Sequence, residues 1–322
     1  MRTENVEFFS DGIILRGFLR LPDQPAPGGG YPALVHGPGW LGLASANNYV
    51  RWHEGLTTAG YAVLAFDYRG FGDSEGERGW VRPEWQLEDI LNAVTYLTTR
   101  TEVDANRLGA YGMGGTGGGN ALLATAHDPR LRCVAAQSVV ADGEDWLHRM
   151  RREYEWVAYL ERLEADRRRW VLEGTGEIVH PREDLMIETP ERRENSPKKD
   201  VDARMPVEFF LRSADLIRRY RPIDVVHRIA PRAMLITAVE NDVVTPEDHA
   251  IALFERAGAP KKLIRQRETT HYRAYSANYE TLLREIVDWY DRHLGYASIQ
   301  GVEMARSEEV TWLGAEAIQG GQ

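Results

Sequence analysis

Short apolar segments recur along this chain, separated by stretches long enough to form a helix. Three of these segments, residues 33–36, 62–66 and 108–112, are rich in the residue types of buried strands. Helices are predicted between them at residues 49–59 and 85–99. Alternation of strand and helix is typical of a mostly parallel sheet with helices on its faces. We therefore expect an α/β fold.

Further segments extend this sheet at both ends of the chain. Asp11 and Gly12 lie between residues 6–9 and residues 13–21, and this pair favours a tight hairpin turn. Three further strands and a closing helix are predicted, in order, at residues 133–140, 233–239, 262–266 and 279–293. The strand at residues 262–266 is expected to be the last.

The alternation is interrupted after residue 141, where aromatic and charged residues become dense. We predict a helical cap inserted between two parts of one core, with a tail at the end. These four parts, in chain order, are residues 1–141, 142–221, 222–296 and 297–322. In the tail, Trp312 and Leu313 are expected to dock on the body of the protein or on a second subunit, which leaves a homodimer open.

Composition limits the partners. The 39 Lys and Arg residues against 49 Asp and Glu give a formal net charge of -10, which disfavours nucleic acid and anionic lipid as partners. The single cysteine, Cys133, excludes an internal disulfide and a cysteine-built zinc site, and the nine histidines lack i, i+3 or i, i+4 spacing. No signal peptide or membrane span is evident. We expect a cytoplasmic protein with a small-molecule substrate and with neither metal nor cofactor.

Ligands of an open parallel sheet bind at the carboxyl ends of its strands, so the loops that follow the strands are the candidates for chemistry. Five such loops are glycine-rich or polar. They are His-Gly-Pro-Gly-Trp at residues 36–40, Asp-Tyr-Arg-Gly-Phe-Gly-Asp-Ser at 67–74, Gly-Met-Gly-Gly-Thr-Gly-Gly-Gly at 112–119, Glu-Asn-Asp at 240–242 and Thr-His-Tyr at 270–272.

In order and content these loops resemble the oxyanion loop, turn segment, nucleophile elbow, acid loop and histidine loop of the α/β-hydrolase family. The resemblance covers residues 6–293 and is closest to bacterial members with a helical cap. It implies the α/β-hydrolase fold, with His271 as general base and Asp242 as the carboxylate that orients it. Glu240 and Asp142 are alternative acids, and a helix cap is the alternative role for Asp242.

The elbow departs from the family pattern because it contains no serine, cysteine or aspartate. Counting from the strand places Gly114 at the nucleophile position, and counting from the helix places Gly115 there. A register shifted by two residues offers Thr116, whose hydroxyl could react if a base reaches it. An engineered replacement of serine at Gly114 or Gly115 also stays open, although the surrounding glycines resemble native sequence.

The oxyanion loop departs as well, because Pro38 has no N–H to donate. The donor must then come from Gly39, from Trp40 or from a side chain. In the cap, Trp146, Tyr154, Trp156 and Tyr159 either line the pocket or pack the cap on the core. The residues predicted for the oxyanion and substrate site are His36, Gly37, Pro38, Gly39, Trp40, Trp146 and Trp156.

Three functions fit these features. The first is hydrolysis of a small-molecule ester, amide or related carbonyl bond through Thr116 or through water activated by His271 and Asp242. The second is proton transfer by the same pair in a lyase, a C–C bond cleaving enzyme or a cofactor-free oxygenase. The third is a non-catalytic ligand-binding protein. Retention of His271 and Asp242 in their expected loops favours an enzyme, and we place hydrolysis first.

Overall fold

The computed structural model describes residues 1–39, 43–187, 189–195, 204, 206–295 and 307–314. Trp40 and most of the tail at residues 297–322 therefore lie outside the described residues. No helix within the described ranges has both the length and the apolar character needed to cross a bilayer.

Eleven strands and ten α-helices make up the described chain. The strands are β1 (Arg2–Ser10), β2 (Ile13–Leu21), β3 (Tyr31–Gly37), β4 (Ala62–Phe66), β5 (Val103–Met113), β6 (Leu131–Gln137), β7 (Ile178–Val179), β8 (Phe209–Phe210), β9 (Ala233–Val239), β10 (Lys261–Gln266) and β11 (Glu308–Leu313). The helices are α1 (Asn47–Thr58), α2 (Pro83–Thr98), α3 (Gly115–His127), α4 (Gly143–Arg149), α5 (Glu153–Glu173), α6 (Pro190–Asn195), α7 (Arg212–Ile217), α8 (Glu247–Arg256), α9 (His271–Ala277) and α10 (Tyr279–Leu294). Single turns of 3-10 or π-helix cover Pro181–Leu185, Pro222–Asp224 and Val226–Arg228.

Nine strands form one sheet in the order β1-β2-β4-β3-β5-β6-β9-β10-β11. The hairpin of β1 and β2 is antiparallel, as is the pairing of β2 with β4, and every other pairing in this sheet is parallel. The predicted mostly parallel sheet and the N-terminal hairpin are confirmed. Buried apolar side chains fill both faces of the sheet, which is why its central strands read as continuous apolar runs.

The expectation that residues 262–266 form the last strand is wrong. Strand β11 adds to the sheet beyond β10 and runs parallel to it. The Trp312 ring lies under the guanidinium groups of Arg265 at 3.8 Å and Arg267 at 3.5 Å, measured to the ring centroid. Trp312 thus docks on the body of its own chain, and an edge strand with one half-buried face has too weak an apolar pattern to be recognised in the sequence.

The glycine run that follows β5 brings α3 close to the sheet. A Cβ at Gly112 would overlap the carbonyl oxygen of Gly117, and a Cβ at Gly118 would lie 2.6 Å from Val139 Cγ1. Any larger side chain would push the helix away, because Cβ atoms do not approach other heavy atoms this closely. The first turn of α3 is therefore held against the carboxyl end of β5.

Between β6 and β9 the chain forms α4, α5, α6, α7 and a two-stranded sheet of β7 and β8. The indole N–H of Trp146 in α4 donates to the Val244 carbonyl at 2.9 Å. His249 of α8 accepts from the Ala141 N–H at 3.1 Å and contacts Asp145 of α4 at 2.7 Å. These bonds attach the start of the segment between β6 and β9 to the loop after β9 and to α8. The boundaries of the cap at residues 142 and 221 stay a prediction.

Candidate active site

A cleft of about 170 Å³ opens at the carboxyl ends of β3, β5 and β9, the edge at which parallel sheets bind ligands. Polar and aromatic side chains dominate its walls. The lining residues are Gly39, Asn48, Tyr49, Met113, Gly114, Gly115, Thr116, Trp146, Arg182, Met186, Val244, Thr245, His271, Tyr272 and Tyr275.

His271 and Asp242 come together at the floor of this cleft. Nδ1 of His271, the first residue of α9, lies 2.7 Å from Oδ2 of Asp242 in the loop after β9. The other carboxylate oxygen, Oδ1, accepts the N–H groups of Val244 at 2.7 Å and Thr245 at 2.9 Å. The Asp242 side chain is only 1% exposed, so its oxygens are held in place by these bonds. A carboxylate on Nδ1 keeps the proton there and leaves Nε2 as an acceptor.

The alternative acids are engaged elsewhere. Asp142 caps α4 by accepting the N–H groups of Glu144 and Asp145, and it pairs with Arg221. Glu240 lies 3.8 Å from Arg267. The alternative in which Asp142 or Glu240 is the carboxylate that orients His271 is therefore wrong, because Asp242 holds that position. The helix-cap alternative for Asp242 is also wrong, because α8 begins only at Glu247, after Pro246.

A single residue, Gly114, separates the end of β5 from the start of α3, with φ +80° and ψ 159°. This positive-φ conformation, which glycine adopts without strain, makes the sharp turn that an elbow requires. A Cβ at Gly114 would have only Gly39 Cα within 4 Å, at 3.9 Å, whereas a Cβ at Gly115 would lie 2.9 Å from Val140 Cγ2. The turn therefore has open space beside Gly114 and packed space beside Gly115. This favours Gly114 as the residue at the nucleophile position of the elbow.

Thr116 lines the cleft from the first turn of α3. Its Oγ1 is buried and makes no hydrogen bond among the described residues, and its carbonyl accepts the Tyr220 hydroxyl at 3.1 Å. Nε2 of His271 contacts the Tyr275 hydroxyl at 3.0 Å instead. The structure thus places Thr116 in the cleft without a hydrogen bond to His271.

Two of the predicted oxyanion-loop residues lie beneath the cleft rather than on its wall. His36 is buried in β3, with Nδ1 2.8 Å from Nε2 of His53. Burial lowers the pKa of His36 to about 3, so it is neutral at ordinary pH. Gly37 packs so tightly that a Cβ would overlap the Tyr68 hydroxyl. The expectation that His36 and Gly37 contact a substrate is therefore wrong. Close packing in the core leaves these two residues no access to the cleft.

Gly39 lines the cleft, but its N–H already has an acceptor. The group donates to the hydroxyl of Tyr49 in α1 at 3.0 Å. Burial raises the pKa of Tyr49 to about 12, so this hydroxyl keeps its own proton at neutral pH and can donate it into the cleft. Pro38 contributes no N–H, and the N–H of Gly115 lies in a first helical turn, where no intrahelical acceptor exists.

The two cap tryptophans have different surroundings. Trp146 lines the cleft. Trp156 is absent from the lining, and its ring stacks on His148 at a centroid distance of 4.9 Å. Tyr154 is mostly exposed, and Tyr159 lies against the Arg151 guanidinium at 3.7 Å. For Trp156 the packing alternative is therefore correct.

Several cleft residues were missed by sequence reasoning. Tyr272 and Tyr275 lie one and four residues after His271 in α9, and the i, i+4 spacing of Tyr275 was a usable signal. Tyr49 and Arg182 come from α1 and from the π-helical turn, and only tertiary packing brings them to the cleft. Among the described residues, no group of three or more His, Cys, Asp or Glu side chains forms a metal cluster.

A family model for X-Pro dipeptidyl-peptidase (S15 family) matches residues 11–273. The chain belongs to this S15 family. An uncharacterised 31.7 kDa protein of Escherichia coli, from the traX-finO intergenic region, is 28% identical over 74% of this chain and 83% of its own length. The thiohydrolase apmlB of Arthrinium phaeospermum is 37% identical over 42% of each chain.

Solved structures share the same architecture. The crystal structure of the α/β-hydrolase GrgF from Penicillium sp. sh18 superposes with a TM-score of 0.79, covering 92% of this chain and all of that one at 23% identity. The structure of PA2218 from Pseudomonas aeruginosa gives the same TM-score at 21% identity, over 91% of this chain and 94% of that one. The expected α/β-hydrolase fold is confirmed.

Proposed function

We propose that this S15-family protein hydrolyses small-molecule esters or thioesters by direct attack of water, without an acylated elbow residue. The observation that carries this proposal is the open position at Gly114. A Cβ there would meet nothing closer than Gly39 Cα at 3.9 Å, and His271, whose Nδ1 lies 2.7 Å from Asp242, lines the same cleft. In this proposal a water molecule takes the place that a serine hydroxyl would occupy.

The His271–Asp242 pair supplies general-base chemistry. With the Nδ1 proton held by Asp242, Nε2 can take a proton as water attacks a carbonyl carbon, and it can return that proton to the leaving group. Asp242 then stabilises the imidazolium that forms between the two steps. General acid–base catalysis of this kind contributes about 10²- to 10⁴-fold to a rate.

An oxyanion site beside the elbow is the second requirement. The Gly39 N–H donates to the Tyr49 hydroxyl, so in this proposal the Tyr49 O–H donates to the oxyanion instead. The second donor is the N–H of Gly115 at the start of α3. Together they offer two donors without any contribution from Pro38. A single donor of this kind is worth about 2.7–4 kcal/mol of transition-state stabilisation.

Similarity to a named relative and the volume of the cleft support an ester or thioester as the bond that is hydrolysed. The relative from Arthrinium phaeospermum is named a thiohydrolase, and its aligned part covers 42% of this chain. A cleft of about 170 Å³ fits a short acyl group, with Trp146 and Tyr272 as apolar walls.

The test compares initial rates on short-chain acyl esters and thioesters for the wild type and the His271→Ala variant. A His227→Ala variant is the matched control, because His227 is exposed in a short 3-10 turn away from the cleft lining. We expect hydrolysis by the wild type and by the control, with a loss of at least about 100-fold in His271→Ala. Turnover that is absent in the wild type, or that persists in His271→Ala, would overturn the proposal.

A further inference from the structure

His271, the proposed general base, is hydrogen-bonded to Tyr275. Tyr275 lies one helical turn after His271 in α9, and its hydroxyl is 3.0 Å from Nε2. The side chain is 8% exposed and lines the cleft. In an elbow that carries a serine, a serine hydroxyl would take this contact with the base.

The direction of this bond follows from the other side of the imidazole ring. Because Nδ1 donates to Asp242, Nε2 is the acceptor and the Tyr275 O–H is the donor. Burial raises the pKa of Tyr275 well above its ordinary value, which keeps the phenol protonated. A water in the cleft must therefore either displace Tyr275 or pass its proton through it.

The hydroxyl groups of two neighbouring tyrosines bond to the backbone, unlike the hydroxyl of Tyr275. Tyr279 donates to the Arg51 carbonyl at 2.9 Å, and Tyr290 donates to the Ala110 carbonyl at 2.6 Å. Both satisfy their hydroxyls with backbone, as buried polar groups commonly do. Tyr275 instead bonds to the imidazole that the proposed reaction needs.

We propose that Tyr275 is a catalytic residue that carries the proton between the attacking water and His271, in place of the missing elbow hydroxyl. This inference rests on the proposed hydrolytic function. The water oxygen bonds to the carbonyl carbon while the carbonyl π-electrons move to oxygen. One water proton passes to the phenol oxygen as the phenol proton passes to Nε2. When the leaving group departs, the same two transfers run in reverse and protonate it, so Tyr275 and His271 end unchanged.

The first test is turnover of Tyr275→Phe beside Tyr279→Phe. The control removes a buried phenol four residues away that lies outside the cleft lining. We expect kcat of Tyr275→Phe to fall about 10-fold or more with KM changed by less than about threefold, since the lost group acts on the proton and not on binding. Tyr279→Phe should stay within about twofold of the wild type. Equal kcat values for both variants would overturn the proposal.

The second test needs no native substrate. A serine placed by Gly114→Ser must compete with Tyr275 for Nε2, so its reaction with a fluorophosphonate probe should be faster in Gly114→Ser/Tyr275→Phe than in Gly114→Ser alone. A purely structural role for Tyr275 predicts slower labelling in the double variant. Equal or slower labelling overturns the proposal, whereas faster labelling in a protein that hydrolyses nothing would reject the hydrolytic function and leave only the contact between Tyr275 and His271 supported.

Because Gly114 has a φ of +80°, a serine there is strained, and a measurement on the natural elbow gives an independent readout. The ¹⁵N resonance of His271 Nε2 should differ between the wild type and Tyr275→Phe, since the variant removes the O–H that Nε2 accepts. An unchanged resonance would mean that the phenol does not bond to the base, which overturns the proposal.

Discussion

At the residue scale, the bond between the Gly39 N–H and the Tyr49 hydroxyl distinguishes this cleft from one with a free backbone donor. Removing the phenol by Tyr49→Phe leaves the oxyanion with one donor fewer. We expect kcat/KM for ester or thioester hydrolysis to fall by about 100-fold, which corresponds to roughly 2.7 kcal/mol. Tyr96→Phe, in α2, is the control and should retain its rate. A Tyr49→Phe rate within about twofold of the wild type would contradict this role.

The buried pair of His36 and His53 predicts an acid-sensitive fold. Burial lowers the pKa of His36 to about 3 and that of His53 well below its ordinary value, so the unfolded chain binds more protons below about pH 6.5. The free energy of unfolding should therefore fall as pH falls from 7 towards 3, by at most about 1.4 kcal/mol per pH unit for each histidine.

Urea unfolding at pH 7.5 and pH 5.5 measures this effect. The difference in unfolding free energy between the two pH values should be smaller in His36→Gln than in the wild type, because the variant removes one titrating group. An identical pH dependence of the two proteins would show that His36 does not contribute.

At the scale of elements, Asp89 ties α2 to the β1–β2 hairpin and to the loop after β4. Its carboxylate accepts from Ser10 Oγ at 2.7 Å, from the Arg69 N–H at 3.0 Å and from Arg69 Nε at 2.8 Å. Asp89 is fully buried and Arg69 is half-buried, and burial raises the pKa of Asp89 despite these bonds. The charged state of Asp89 therefore depends on its partners remaining in place.

Asp89→Ala removes the buried partner of the Arg69 guanidinium and leaves it the exposed Asp11 at 3.0 Å and Ser10 Oγ at 2.8 Å. We expect a cost of about 3 kcal/mol, the lower end of the range for breaking a buried pair. Urea denaturation should show a loss of this size. Asp224→Ala, which removes an exposed ion pair with Arg221, should change the unfolding free energy by less than about 1 kcal/mol. Similar losses in the two variants would contradict the structural role assigned to Asp89.

Elements with a strong local pattern were predictable from the sequence. The segments 62–66 and 233–239 are continuous apolar runs, and both are strands with those bounds. Strand β11 was missed because its alternation of exposed and half-buried residues includes charged side chains, and because β10 lies about forty residues away in sequence. Its pairing depends on tertiary contact and not on local propensity.

The same distinction holds for the site. Asp242 and His271 follow strands in loops of recognisable composition, and the structure brings them into contact. The partners of Nε2 and of the Gly39 N–H are tyrosines from α9 and α1, whose orientation depends on how those helices pack. Trp156 shows the converse, since an aromatic residue in the cap interval packs inward and not towards the cleft.

At the scale of the whole molecule, the sheet brings the loops after β3, β5, β9 and β10 to one edge, where they surround a cleft that contains His271 but no side chain at Gly114. The proposed direct attack by water would separate this protein from hydrolases that pass an acyl group to the enzyme. It predicts that the covalent structure of the protein is unchanged throughout turnover.

Intact-mass measurement of the protein, quenched during steady-state hydrolysis of a short-chain acyl thioester, detects any covalent intermediate. Direct attack by water predicts the unmodified mass at every time point, with the acyl group found only in the released acid. An adduct of acyl mass on the protein would contradict direct attack by water, and its location at Thr116 would identify that hydroxyl as the nucleophile.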